Sequence, residues 1–255
     1  MPPTVIFIHI PRTAGTSIRT ALDSLFSPEE RIYTYARRSW AIPPDRLGEL
    51  DEGTRRRALL VFGHAPFGLH RDLPQRCRYA TLVRDPVERV ISNFYFYANT
   101  LAKRTARGLA PGTRMEQAVA SGEIDLAGYL RSEGPAPPPN LMTRWIAGRT
   151  GTGSADDPVL LEKARRNIDR RFVGIGTTQH SQQFIDLLAE HMIWGAVTVG
   201  RVNPNPRRKQ TDQLDPTVLD LARERNALDL ALYEWVLEAT DGGRLLHPRD
   251  AGGGR

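Results

Sequence analysis

Cysteine is almost absent from this chain of 255 residues; Cys77 is the only one. A lone thiol excludes an internal disulfide framework and suits a reducing compartment, so a cytoplasmic location is expected. No Cys/His cluster has zinc-site spacing, and no metal is expected. No apolar run approaches the length of a bilayer span, and no basic segment with an apolar leader precedes "TVIFIHI". Lysine is scarce too. Lys103, Lys163 and Lys209 are the only lysines among 35 basic residues, which leaves 32 arginines against 29 acidic residues and a net charge of +6. Arginine binds phosphate and sulfate through a planar fork, although a coding bias toward arginine gives the same count. The charge also suits nucleic acid. However, no basic stripe interleaved with aromatics and no helix-turn-helix or zinc-finger signature is present, so a nucleic-acid partner is not expected.

What is present is alternation. Val5–Ile10, Ala58–Phe62 and Tyr79–Val83 read as short buried strands, and "RFVGIG" as a further one. Ser17–Leu25, "VERVISNFYFYANTLAK", "NLMTRWIAG" closed by Gly148, "PVLLEKARRNI" and "HSQQFIDLLAEHM" read as helices, the second about four or five turns long. "IWGAVTVG" reads as a possible last strand, and "PTVLDLARERNALDLALYEWVLEA" as a closing helix or helix pair. Residues 27–57 read as loops around short helices, and 104–139 as a lid or substrate-side insertion. No internal repeat is apparent. The pattern predicts one domain over 1–246 and a disordered tail over 247–255. It is a three-layer α/β fold with a mostly parallel central sheet and helical insertions. Ligands in such folds bind beyond the carboxyl ends of the strands, which directs attention to the polar turns there.

The first turn, "IPRTAGTS", runs from a strand into a helix. Gly15 permits close backbone approach, Thr16 and Ser17 offer caps and hydroxyls, and the helix start favours an anion. The turn reads as a phosphate cradle, against the plainer reading of an ordinary capped helix. It is not a Walker A loop, having one glycine and no lysine. After the third strand, Arg84 is followed eight residues on by Ser92, and these two can converge on one phosphate, against the plainer reading of a surface arginine that caps or pairs with Asp85 or Glu88. His64 follows Gly63 at a strand end, where an imidazole can take a hydroxyl proton.

Taken in order, these motifs resemble those of sulfotransferases that use 3′-phosphoadenosine 5′-phosphosulfate (PAPS). "HIPRTAGTS" resembles their 5′-phosphosulfate loop, and "LVRDPVERVISNFYFY" their 3′-phosphate motif. "FGHAPFGL" resembles a segment of the branch containing heparan-sulfate 2-O-sulfotransferase and bacterial carbohydrate sulfotransferases. "NLMTRWIAG", "FVGIG", "RVNPNPRR" and "NALDLALYEW" resemble later landmarks of that branch. The resemblance covers roughly residues 4–237. It implies a P-loop-like fold and, without an anchor, a soluble bacterial-type enzyme.

The resemblance also implies roles. Arg12, Thr13, Ala14, Gly15, Thr16 and Ser17 would hold the 5′-phosphate, and Arg84 and Ser92 the 3′-phosphate. Asn203, Arg207 and Arg208, in a basic loop, would close over the 3′-phosphate or the adenine, or form a solvated loop. His64 would be the base, with His70 as the rival. Arg12 stands where the family usually has lysine and would offset charge on the leaving phosphate; an arginine is a poor proton donor. His9 reads as structural, and His180, His191 and His247 match no catalytic landmark. Phe67, Tyr95, Phe96 and Trp145 stack on adenine or sugar, or pack in the core. The product would be PAP, and the acceptor a hydroxyl on a glycan, glycolipid or natural product. The alternatives are a P-loop-like kinase using ATP and Mg²⁺, and a PAP-binding pseudoenzyme.

Overall fold

The computed structural model describes residues 3–36, 38–105, 112–132, 138–150, 157–200 and 211–240. Residues 151–156, the segment with Asn203, Arg207 and Arg208, and residues 247–255 lie outside the described residues.

Strands β1 (Thr4–Ile8), β2 (Arg31–Thr34), β3 (Leu60–Gly63), β4 (Cys77–Val83) and β5 (Phe172–Thr177) form one all-parallel sheet in the order β2-β3-β1-β4-β5. The helices are α1 (Gly15–Leu22), α2 (Glu52–Arg57), α3 (Pro86–Thr105), α4 (Arg114–Ser121), α5 (Leu126–Arg131), α6 (Leu141–Ile146), α7 (Pro158–Arg171), α8 (Ser181–Met192), α9 (Pro216–Arg225) and α10 (Ala227–Ala239).

The inner strands β1, β3 and β4 and the edge strand β5 are mostly apolar because both faces are covered. Val5, Phe7, Leu60, Phe62 and Leu82 pack against Ile18 and Leu22 of α1 and Phe184, Ile185 and Leu188 of α8. Ile6, Ile8, Val61, Tyr79 and Ile175 pack against Met142 and Ile146 of α6, Ala164 and Ile168 of α7, and Leu232 and Val236 of α10. Each such side chain contributes about 1.5–3 kcal/mol when fully buried. The result is a three-layer α/β arrangement. A satellite cluster joins α3 to the segment between it and α6: Val87 and Ile91 meet Met115, Val119, Tyr129 and Leu130, closed by Ala222 of α9.

Three sequence expectations need correction. Residues 27–57 contain a strand, β2, which pairs with β3 at the sheet edge. "IWGAVTVG" forms no strand. Instead of a ladder, the Gln182 side chain donates to Val197 O at 3.0 Å and accepts from Val199 N at 2.7 Å. Helix α1 starts two residues earlier than its pattern suggests and stops at Leu22. Gly148 has φ 75 and its N–H reaches Trp145 O at 3.0 Å, closing α6 as the sequence indicates.

Two late motifs cap each other's helices. Asp229 accepts from the N–H groups of Met142 (3.1 Å) and Thr143 (2.7 Å) at the start of α6. Asn140 Oδ1 accepts from those of Leu228 (3.0 Å) and Asp229 (3.1 Å) at the start of α10. The fully buried Asp229 faces Arg89 of α3 at 3.9 Å, and Asn226 Oδ1 accepts from Arg89 at 3.4 Å. Burial pushes the Asp229 carboxyl up, with Arg89 pulling against it. This polar cluster ties α3, α6 and α10 together.

Strands β1 and β4 are neighbours whose onward connections run to opposite edges, β1 toward β2 and β4 toward β5. Such a reversal opens a crevice beyond the carboxyl ends of the two strands. The turns at residues 9–14 and 84–86 border it.

Candidate functional site

The loop from β1 to α1 is tight. Thr13 turns inward, its hydroxyl donating to Ile10 O at 2.8 Å. Arg12 (φ 73) and Ala14 (φ 60) are both left-handed, a conformation that non-glycine residues hold only where the surroundings impose it. Ala14 occupies the cap position of α1, and no side chain caps the helix. Thr16 and Ser17 therefore lie inside the first turn and do not cap it, which corrects the sequence reading. A helix start without a side-chain cap, approached through left-handed backbone, is an arrangement that receives anions. Gly15 makes room for protein: a Cβ there would stand 1.8 Å from the His9 ring. That close neighbour was not evident in the sequence.

The next row of the sheet forms a cluster of rings. Thr34, Gly63 and Ile8 are in register across β2, β3 and β1, and Tyr35, His64 and His9 each follow directly. His64 N–H donates to Thr34 O and His9 N–H to Gly63 O, both at 2.8 Å, which extends the ladder by one residue. Gly63 is required because a Cβ would come within 2.0 Å of Thr34 O. The three rings touch pairwise: His9–His64 centroids are 4.5 Å apart, Tyr35–His64 4.7 Å and His9–Tyr35 5.9 Å. His9 Nδ1 and Tyr35 OH share a hydrogen bond of 2.8 Å. His64 Nε2 is buried and has no hydrogen-bond partner. Burial, with the Arg38 charge adding to it, pushes His64 down to about 4. Burial first, then His64 and Arg12, holds His9 well below the usual imidazole range. Burial raises the Tyr35 phenol, which stays protonated. The row is thus neutral at pH 7.

The rival base, His70, is elsewhere. Its Nδ1 pairs with Tyr79 OH at 2.8 Å, and Tyr79 lies in register with Ile6, inside the sheet and away from its carboxyl end. His180 bonds Thr177 at 3.1 Å after β5.

The cationic part of the site joins the loop to α3. Arg12 Nε donates to Ser92 Oγ at 3.1 Å, and its guanidinium lies 4.7 Å above the Phe96 ring, one turn further along α3. Arg84 Nη1 donates to Arg12 O at 3.2 Å, and its Nη2 pairs with Glu88 at 3.2 Å. Burial lowers the Arg84 pKa, with Asp85 opposing the shift. Glu88 also accepts from Thr211 Oγ1. The structure thus brings Arg12, Arg84 and Ser92 together, and His64 against His9 and Tyr35, with the His9 ring against Gly15. Asn203, Arg207 and Arg208 lie outside the described residues.

Of the aromatics in question, Phe67 packs on Tyr79 and Phe172 in the core, Tyr95 on Phe94, and Trp145 stands 6.0 Å from His64. Phe96 is 41% exposed beneath Arg12. Sequence reasoning missed Tyr35 and the buried Arg89, and held Glu88 only as an ion-pair partner in the plainer reading of Arg84, a pair that the structure shows. The i,i+4 spacing of Arg84 and Glu88 was the available signal for Glu88.

Among the described residues, no helix is long and apolar enough to cross a membrane. Comparison with protein-family models and with curated proteins gives no match for this chain.

Proposed function

We propose that the chain is a PAPS-dependent O-sulfotransferase with a P-loop-like core. In this reading it acts on a hydroxyl of a carbohydrate or glycosylated metabolite in the cytoplasm. One observation carries the reading: Arg12, Arg84 and Ser92 converge at the β1/β4 crevice, beside a helix start with no side-chain cap and a buried, neutral His64. Arginine and hydroxyl donors beside such a helix start suit a ligand with two anionic groups. The strand order β2-β3-β1-β4-β5, with the loop following the central strand, supports the P-loop-like part.

The backbone from residue 13 to residue 17 faces the 5′-phosphate, and Arg84 and Ser92 take the 3′-phosphate. PAPS supplies the sulfuryl group. The acceptor oxygen bonds to sulfur as the bond from sulfur to the bridging oxygen breaks. The acceptor proton passes to His64 Nε2, a buried ring atom without a partner, and the bridging oxygen leaves on PAP. Arg12 offsets the charge that develops there, which is the main demand of such transfers.

Calorimetric titration with PAP, against 5′-AMP and ATP plus Mg²⁺, tests this. PAP binds without metal, and Arg84→Ala weakens it by about 10–100-fold, the range for a lost hydrogen bond to a charged group. If PAP binds no better than 5′-AMP, the reading fails; if only ATP with Mg²⁺ binds, a kinase takes its place. Screening hydroxyl acceptors with PAPS, with His64→Ala as control, separates transfer from binding alone.

A further inference from the structure

His9 plays no part in the chemistry above, yet it touches two components of it, the start of α1 and His64. Its ring occupies the place of a Gly15 side chain, lies 4.5 Å from the His64 ring and is held at Nδ1 by Tyr35 OH. Residue 9 also holds the row together through its backbone, by way of Gly63 O. His64 itself has its main-chain N–H fixed by Thr34, but no hydrogen bond at Nε2 sets the tilt of its ring. Neighbouring rings therefore set that tilt. Tyr35 and His9 are the closest of them, and Trp145 is farther, at 6.0 Å. His9 cannot yield, being wedged between Gly15 on one side and the Tyr35 hydroxyl on another.

We propose that His9 is a positioning residue for His64: anchored by Tyr35 and braced on Gly15, its ring fixes the orientation of the His64 imidazole relative to the start of α1. The role as positioner of a base rests on the functional reading above; the geometric relay from Tyr35 through His9 to His64 does not. A supporting group of this kind matters because a misplacement of about 1 Å at a reacting centre costs about 100-fold in rate.

The test is side-chain ¹⁵N NMR of the histidines in the free protein, for wild type, Tyr35→Phe, His9→Phe and the double variant. Tyr35→Phe removes only the hydroxyl that anchors His9 and leaves the Tyr35–His64 ring contact in place. The His64 ring resonances and titration midpoint shift in Tyr35→Phe and in His9→Phe. Adding Tyr35→Phe to His9→Phe produces no further shift, because the relay is already cut. The proposal is overturned if Tyr35→Phe leaves the His64 resonances where they were. It is equally overturned if the double variant shifts them by the full Tyr35→Phe amount again. Circular dichroism verifies folding. Should Tyr35→Phe not fold, His9→Asn replaces it in the comparison: the amide keeps a partner for Tyr35 but loses the ring, so His64 must shift. PAP titration on the same samples reports separately on the functional reading. Wild type that fails to bind PAP sinks that reading, while the NMR spectra still decide the relay.

Discussion

Arg12 and Ser92 are eighty residues apart in sequence and 3.1 Å apart in space, Nε to Oγ. The left-handed backbone at Arg12 turns its side chain across the crevice onto α3, where Phe96 supports the guanidinium from one turn further along. A loop that follows the central strand is thereby tied to a helix that follows its neighbour. Ser92 accepts from Arg12, which leaves its own hydroxyl proton to donate. The pair is built as one unit.

A unit of this kind loses its function once, whichever member is removed. Arg12→Ala and Ser92→Ala each weaken PAP, and the double variant weakens it by less than the product of the two. Contacting residues of this type show coupling of about 0.5–3 kcal/mol. Calorimetry on the four proteins measures the cycle, and strictly multiplicative losses would mean that the Arg12–Ser92 hydrogen bond does not couple the two residues in binding.

In the proposed reading, Glu88 opposes the same ligand. It pairs with Arg84 in the free protein, both side chains being largely buried, and takes a hydrogen bond from Thr211. An incoming phosphate must share or displace that carboxylate. Glu88→Gln therefore tightens PAP by about twofold to fivefold, the upper bound following from the roughly 1 kcal/mol of a partly exposed ion pair. Weaker binding in this variant would show that Glu88 holds Arg84 in place for the ligand.

Gly15 gives a prediction whose sign is informative. Glycine to alanine near a helix start ordinarily stabilises, by up to about 1 kcal/mol. Here the new methyl meets the His9 ring at 1.8 Å, and the ring is walled in by Tyr35 and His64. Gly15→Ala destabilises by about 1–3 kcal/mol, the usual cost of overpacking, read from urea midpoints. In a His9→Ala background the same substitution costs much less. A neutral or stabilising Gly15→Ala in the wild-type background would show that the loop relaxes freely.

The parts of the fold written in one unbroken apolar run were readable from sequence. β1, β3, β4 and β5 are covered on both faces, so their residues carry the signal at every position. β2 is an edge strand of four residues, "RIYT", with alternating burial, too short for its period to stand out. "IWGAVTVG" has strand composition, but the Gln182 side chain takes its backbone groups. At the site, the residue types were visible and the geometry was not. The cap of α1 falls on Ala14, a residue with no capping chemistry, because the backbone at positions 12 and 14 is left-handed. The Tyr35–His64–His9 row depends on the register of three strands, one of which was not recognised.

That row also sets the response to acid. His64 is pushed down to about 4 by burial and Arg38, and His9 is shifted in the same direction. An unfolded chain protonates both near the ordinary value of about 6.5. Between roughly pH 6.5 and 4 the unfolded state therefore binds more protons than the folded one, and stability falls as the pH drops through that window. Above it the contribution is fully present. For His64 alone the shift corresponds to about 3 kcal/mol, at 1.36 kcal/mol per unit. Urea unfolding at pH 7 and pH 4.5 measures the loss, and His64→Gln makes it smaller. In the proposed reading, the same depression acts on catalysis. kcat/KM reports the free enzyme, so its acid limb falls well below pH 6.5, toward 4. An acid limb at the ordinary histidine value, unmoved in His64→Gln, would assign the proton transfer to another group.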